Sequence, residues 1–225
     1  NKPHPHNGIL ETFKRQPPEQ AFGNLVSDEV AAQLQADKPF VSKVDLPNGF
    51  RQTIAVRNIA APANLVFDQI TELSSYPEKI DGVMLVETYR DERGLNGLRT
   101  MCAQYKVRFA TIVAESFVLH EVDPFIRCMT FRLDYTRRSD VSDQVGYWFV
   151  ESLGHDRSRV YYAAVCTVPA WVPGFAVSGI YELVAKRSTG WVDVESRKAY
   201  AERAQVRSLR GLVSQASKLT SLHGL

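Results

Sequence analysis

Six segments of strand character follow one another between Met84 and Val168, and only short runs of turn residues separate them. The segments are Met84 to Tyr89, Leu98 to Phe109, Thr111 to Val122, Ile126 to Thr136, Gln144 to Ser152 and Arg159 to Val168. The punctuation is Asp91 to Asn96, Asp123-Pro124, Arg138 to Asp143 and Gly154 to Ser158, rich in Asp, Asn, Gly, Ser and Pro. Connections this short join antiparallel neighbours, because a parallel pair needs a crossover of about a dozen residues or more. A meander of hairpins is the arrangement that fits.

The flanks complete the plan. Thr53 to Ile59 alternates, with Ile54, Val56 and Asn58 on one face and Ala55, Arg57 and Ile59 on the other, which predicts another strand. Pro62 then opens a helix whose stripe is Leu65, Val66, Gln69, Ile70 and Leu73, with its end expected at Tyr76-Pro77. After Pro173-Gly174, Val177, Ile180, Val184, Trp191 and Val194 recur at helical steps and predict a terminal helix from about Gly174 to Gln205. The expected fold is α+β, a curved seven-stranded antiparallel sheet around a long C-terminal helix.

Three regions follow from this pattern. Residues 1–50 read as an N-terminal extension broken by Pro3, Pro5, Pro17, Pro18, Pro39 and Pro47. One helix is expected inside it, capped by Ser27 and running from Asp28 to Ala36 with Val30 and Leu34 on one face. Residues 51–205 form the domain. Residues 206–225 form a basic amphipathic tail: Val206, Leu209, Val213, Ala216 and Leu219 make the apolar face, and Arg203, Arg207, Arg210 and Lys218 supply charge with no acid after Glu202. The tail suits a partner protein, its own domain or a membrane surface.

Composition narrows the function. Lys and Arg total 27 against 25 Asp and Glu, a formal charge of +2, which gives no electrostatic case for nucleic acid. Cys102, Cys128 and Cys166 are odd in number and far apart, so buried free thiols are expected rather than a disulfide framework or a zinc knuckle. The longest apolar stretch, Val168 to Val177, is ten residues and far short of the roughly 20 that cross a bilayer. The chain opens on Asn1 rather than Met, so a targeting peptide is expected to have been removed or never included, and an organellar address (plastid or mitochondrion) is the guess that the absent Met suggests.

Catalytic and metal constellations are not legible. Of the five histidines, His4, His6, His120, His155 and His223, His120 is the one in a strand, and alternation sends Glu121 to the opposite face. The chain has no H-E-x-x-H, G-x-S-x-G, Walker or G-x-G-x-x-G motif. No catalytic residue and no metal ligand is assigned. Strand charges such as Arg99, Arg108, Glu115, Arg127, Arg132 and Asp134 are expected on the solvated face; Arg132 is the first candidate should one turn inward.

Several pieces in order carry a family resemblance: Val66-Phe67-Asp68 and Tyr76-Pro77, then Gly146-Tyr147-Trp148-Phe149, Val160-Tyr161-Tyr162 and Val168-Pro169-Ala170-Trp171-Val172-Pro173. From Arg51 to about Arg203 the chain resembles the polyketide cyclase and coenzyme Q-binding branch of the START-like (SRPBCC, Bet v 1-like) superfamily. The resemblance implies a helix-grip fold and a cavity between sheet and helix. It implies as occupant an apolar small molecule such as a lipid, an isoprenoid quinone or a pigment, with no other cofactor.

Alternation places Met129, Phe131, Leu133 and Tyr135 inward, whereas the strands 144–152 and 159–168 are apolar on both faces and leave their inner side open. The expected lining is Tyr105, Met129, Phe131, Leu133, Trp148, Tyr162, Val177, Ile180 and Val184. Three functions stand side by side. The first is a non-catalytic binding module, with the N-terminal extension and C-terminal tail serving as protein contacts of an accessory subunit. The second is an enzyme of the polyketide cyclase or dehydratase kind. The third is a scaffold subunit whose pocket is filled.

Overall fold

The computed structural model describes residues 27–36, 38–45, 51–109, 111–167 and 188–222. Among them, eight strands form one antiparallel sheet: β1 (Phe40–Asp45), β2 (Arg51–Ile59), β3 (Val83–Arg93), β4 (Arg99–Phe109), β5 (Ile112–Asp123), β6 (Cys128–Leu133), β7 (Asp143–Ser152) and β8 (Ser158–Thr167). The order across the sheet is β1-β2-β8-β7-β6-β5-β4-β3, so the six-strand meander is intact and β2 closes onto its last member. Among the described residues the helices are α1 (Asp28–Gln35), α2 (Ala63–Thr71), the short α3 (Tyr76–Lys79) and the long α4 (Gly190–Leu222).

The count is eight, not seven, because Phe40–Asp45 pairs with β2 from Phe40↔Val56 to Asp45↔Arg51. Pro39 and Pro47 bracket this segment and concealed it. Its place at the sheet edge is where flanking prolines cost least. α1 keeps the expected cap, with the Ser27 hydroxyl accepting from the Val30 N–H and with Val30 and Leu34 buried. These two side chains cover one face of the sheet, meeting Ile54, Val56, Cys128, Tyr147, Tyr161 and Ala163. Asn58 fastens the contact, its Nδ2 donating to the Leu34 carbonyl at 2.9 Å.

That cover explains why β7 and β8 are apolar on both faces. Tyr147 and Tyr161 belong to the α1 side, and Trp148, Val150, Val160, Tyr162 and Ala164 belong to the main core on the other side. Strands buried twice lose the alternation that marks an inner face. The main core adds Leu65, Val66, Phe67 and Ile70 of α2, Met101 and Ala103 of β4, and Met129, Phe131 and Leu133 of β6. Tyr135, expected as a fourth inward residue of β6, lies beyond the strand end, half-buried against the same core. β6 is shorter than expected because Arg127 takes a left-handed φ of 52° before it and Asp134 turns the chain after it, accepting from the N–H and hydroxyl of Thr136.

Two helix expectations are corrected. α2 ends at Thr71, and Tyr76-Pro77 starts α3 instead of ending α2; Tyr76 is helical at φ −59°, ψ −38°, and Pro77 stands in the first turn, where a missing N–H costs little. A turn occupies Ser188 and Thr189, so α4 begins at Gly190, and it continues without a break past Gln205 to Leu222. Within α4 the expected stripe fails at Val194, which is 61% exposed, while Val192 and Ser196 are fully buried. Val177, Ile180 and Val184 lie outside the described residues.

α4 is held to the sheet by charge as well as packing. Arg57 of β2 donates from Nη1 to Asp193 Oδ2 at 3.2 Å and from Nε to Thr189 Oγ1 at 3.4 Å, while Asp193 Oδ1 accepts from Arg197 Nε at 2.6 Å. The alternation had placed Arg57 on the Ala55 and Ile59 face, which is the face toward α4.

Candidate functional site

The inner face carries a row of aromatic rings. Reading across consecutive strands from β4 to β8, the residues are Tyr105, His120, Phe131, Trp148 and Tyr162. The row closes on itself through two rings from the helical side, Tyr76 of α3 and Trp191 of α4. Centroids are 6.4 Å apart for Tyr76 and Tyr105, 5.8 Å for Tyr105 and His120, 6.3 Å for His120 and Phe131, and 6.3 Å for Phe131 and Tyr162. They continue at 4.5 Å for Tyr162 and Trp148, 6.4 Å for Trp148 and Trp191, and 5.0 Å for Trp191 and Tyr76. Each step falls in the range where ring pairs attract beyond their buried area, by about 0.5–1.5 kcal/mol. Seven elements therefore contribute one ring each to a closed circuit.

One glycine makes the circuit possible. Phe131 stands opposite Gly146 in the β6–β7 register, and a Cβ built on Gly146 would lie 2.1 Å from Phe131 Cζ. The bare backbone lets the Phe131 ring cross over β7 and reach Tyr162 of β8. Gly146 thus acts by allowing close approach, the reason a glycine is kept inside a strand.

The circuit has few polar atoms, and two of them form a pair. Tyr105 Oη lies 3.0 Å from His120 Nε2. In the β4–β5 register Tyr105 is opposite Ser116 and His120 opposite Met101, with Ala103 and Val118 between them. The tyrosine reaches along its strand past this intervening pair. His120 is 3% exposed, and burial holds its pKa down to about 4, so the ring is neutral at pH 7. Backbone groups of Met101 and Val118 lie near enough to favour the charged form slightly, yet Nδ1 makes no well-formed hydrogen bond.

Burial also raises the pKa of Tyr105 and, with Tyr162 close by, of Tyr76, whose hydroxyl donates to the Ile70 carbonyl at 2.6 Å. Tyr162 is likewise raised by burial, and among the described residues its hydroxyl has no hydrogen-bond partner. All four groups are uncharged donors or acceptors at neutral pH. Among the described residues no three His, Cys, Asp or Glu side chains gather in a way that would hold a metal.

No protein-family model matches this chain, and no curated protein matches it. Solved structures do. The Zhui aromatase/cyclase from Streptomyces sp. R1128 is similar with a TM-score of 0.56 at 19% identity, over 66% of this chain and 94% of that one. A START superfamily protein from Mycobacterium smegmatis gives 0.56 at 14% identity, over 67% and 99%. Human STARD10 gives 0.58 at 13% identity, over 90% of this chain and 89% of that one.

The fold is START-like, of the helix-grip kind. Within it, six of the nine residues expected to line a pocket are described. Met129, Phe131, Leu133, Trp148 and Tyr162 are buried in the main core of the START-like sheet, and Tyr105 is half-buried against it. Phe131, Trp148, Tyr162 and Tyr105 belong to the circuit. Met129 and Leu133 sit on the same face of β6 without joining it. Sequence reading missed Tyr76, Trp191 and the pairing of His120. Tyr76 was read only as the residue before a proline. His120 has no carboxylate beside it on its own strand and finds its partner on the neighbouring one; the hairpin register, which puts residues 105 and 120 on one face, is the signal for it. Arg132, the first candidate for an inward charge, alternates with Phe131 and Leu133 and falls on the opposite face.

Proposed function

We propose that the inner face of this START-like sheet binds an apolar small molecule of lipid, isoprenoid quinone or pigment type without covalent chemistry. The observation that carries this reading is the closed circuit of seven rings with neutral polar atoms set inside an apolar wall. Sites for small molecules have this composition: aromatic and aliphatic lining with a few convergent polar groups. Trp148 and Trp191 belong to the circuit and report on it directly. In a protein with Trp171 replaced by Phe, addition of a long-chain isoprenoid quinone should quench their emission saturably. Quenching that rises linearly without saturation would speak against a site.

One observation favours an enzyme of the cyclase or dehydratase kind, namely the buried hydrogen bond between Tyr105 and His120. A carbonyl on a bound chain could accept from the phenol while the neutral imidazole takes a proton, the geometry of general acid–base work. The similar Streptomyces structure is described as an aromatase/cyclase. Tyr105→Phe and His120→Gln separate the two readings. A binding module retains its ligand in both variants with affinity reduced by about tenfold or less, as expected for one lost hydrogen bond. An enzyme loses turnover of a poly-ketone substrate by about 100-fold or more while still binding it.

A further inference from the structure

We infer that the distal part of α4 is a docking element for an anionic lipid bilayer surface. The helix has 33 residues and is about 50 Å long. Its first turns pack on the fold, with Val192 and Ser196 fully buried and Ala199 and Tyr200 half-buried. From Ala201 to Leu209 every residue is exposed, which means the helix has left the sheet. Val206 and Leu209, 48% and 62% exposed, form an apolar strip that no other part of the described protein covers.

The sequence beyond continues this strip on the same unbroken helix. At about 100° per residue, Val206, Leu209, Leu212, Val213, Ala216 and Leu219 share an arc of about 140°, in which the only polar residues after Glu202 are Gln205 and Thr220. Arg203, Arg207, Arg210 and Lys218 share a neighbouring arc of about 80°. The rest of the circumference is held by Ala204, Ser208, Gly211, Gln215, Ser217 and Leu222. A helix of this pattern lies in the plane of a membrane interface, with its apolar strip among the acyl chains and its cations at the headgroups. Among the described residues no helix is long and apolar enough to cross a membrane, so the expected mode is surface binding.

Charge decides between occupants. A second copy of the same helix offers no carboxylate after Glu202, so pairing the two apolar strips would bring eight cations together with nothing to balance them. An anionic bilayer satisfies the basic arc and the apolar arc at once. Among the described residues Arg203 pairs with Asp68 at 3.7 Å, and both side chains are mostly exposed, so this pair is too weak to hold the helix back. The inference does not rest on the proposed ligand.

The test is co-sedimentation of the full chain with vesicles of phosphatidylcholine alone and of phosphatidylcholine mixed with phosphatidylglycerol. The wild-type protein should pellet with the mixed vesicles and remain free with the neutral ones. Raising the salt from about 0.1 M to about 1 M should release it, because the screening length falls from about 10 Å to about 3 Å. Arg207→Glu combined with Arg210→Glu should weaken binding by about tenfold or more. Leu209→Ser should weaken it too, and its exposed position leaves the thermal melt unchanged, which keeps the result apart from misfolding. Equal pelleting with both vesicle types, or charge-reversed protein that pellets like wild type, overturns the inference. A protein that stays free of both vesicle types as a dimer, and becomes monomeric on Leu209→Ser, also overturns it and assigns the strip to a second copy.

Discussion

Tyr105 and His120, fifteen residues apart in sequence, meet on neighbouring strands with Oη 3.0 Å from Nε2, and the His120 imidazole is sealed from solvent and neutral. A histidine that folding forces to stay neutral leaves a thermodynamic mark. Its folded pKa of about 4 lies below the ordinary value of 6.5, so between these two pH values the unfolded chain binds more protons than the folded one.

Stability should therefore fall as pH drops through the window from 6.5 to about 4, and the contribution of His120 should be fully present above 6.5. The loss is about 3 kcal/mol at the lower end, from roughly 1.4 kcal/mol per pH unit. Urea unfolding at several pH values measures it. In His120→Phe the slope across this window should flatten, and a slope identical to wild type would show that His120 is not buried neutral.

Gly146→Ala should cost about 1–3 kcal/mol, because the added carbon meets the Phe131 ring at 2.1 Å and the Ala163 carbonyl at 2.7 Å. The ring can move but the carbonyl cannot. Pairing it with Phe131→Leu should recover part of the loss, and a double-mutant cycle on the unfolding free energy checks the coupling. Strict additivity would show that the ring does not cross the strand at residue 146.

The hairpin meander was legible because turn residues and two-residue alternation are local signals. The inner face of β6 was legible for the same reason, since Met129, Phe131 and Leu133 alternate with Cys128, Thr130 and Arg132. The inner faces of β7 and β8 were not, because α1 buries Tyr147 and Tyr161 on the other side, and a segment packed from more than one hundred residues away leaves no mark on local alternation. β1 was hidden by its prolines, and the start of α4 at Gly190 follows a turn at Ser188 and Thr189 that the apolar spacing does not announce. In the site, alternation placed Phe131 but left the faces of Trp148 and Tyr162 open, whereas Tyr76 and Trp191 are brought in by helices whose placement depends on tertiary contacts. The Tyr105–His120 pair needed a hairpin register, which alternation alone does not supply.

Leu34→Ala should destabilise the domain by about 2–5 kcal/mol, since Leu34 is completely buried against the outer face of the sheet. Removal of residues 1–36 should do at least as much. A truncated chain that melts like wild type would show that α1 is a detachable arm and that Tyr147 and Tyr161 tolerate water.

Asp193→Ala should loosen α4 from β2, because the carboxylate joins Arg57 and Arg197 while only 13% exposed. The expected cost is about 1–3 kcal/mol, much of it from leaving the half-buried Arg57 without its anion. Hydrogen exchange of the first turns of α4 should quicken. If exchange there is unchanged, the helix is held by Val192 and its apolar neighbours alone.

The central claim is that the ring circuit holds an apolar molecule, and native mass spectrometry of the protein after incubation with a lipid extract tests it most directly. Wild-type protein should carry one small molecule of discrete mass, and Ala164→Phe, which adds a ring to the inner face beside Tyr162, should remain folded and carry none. Wild-type protein that shows only the mass of its own chain, or an adduct that persists unchanged in folded Ala164→Phe, would contradict the account.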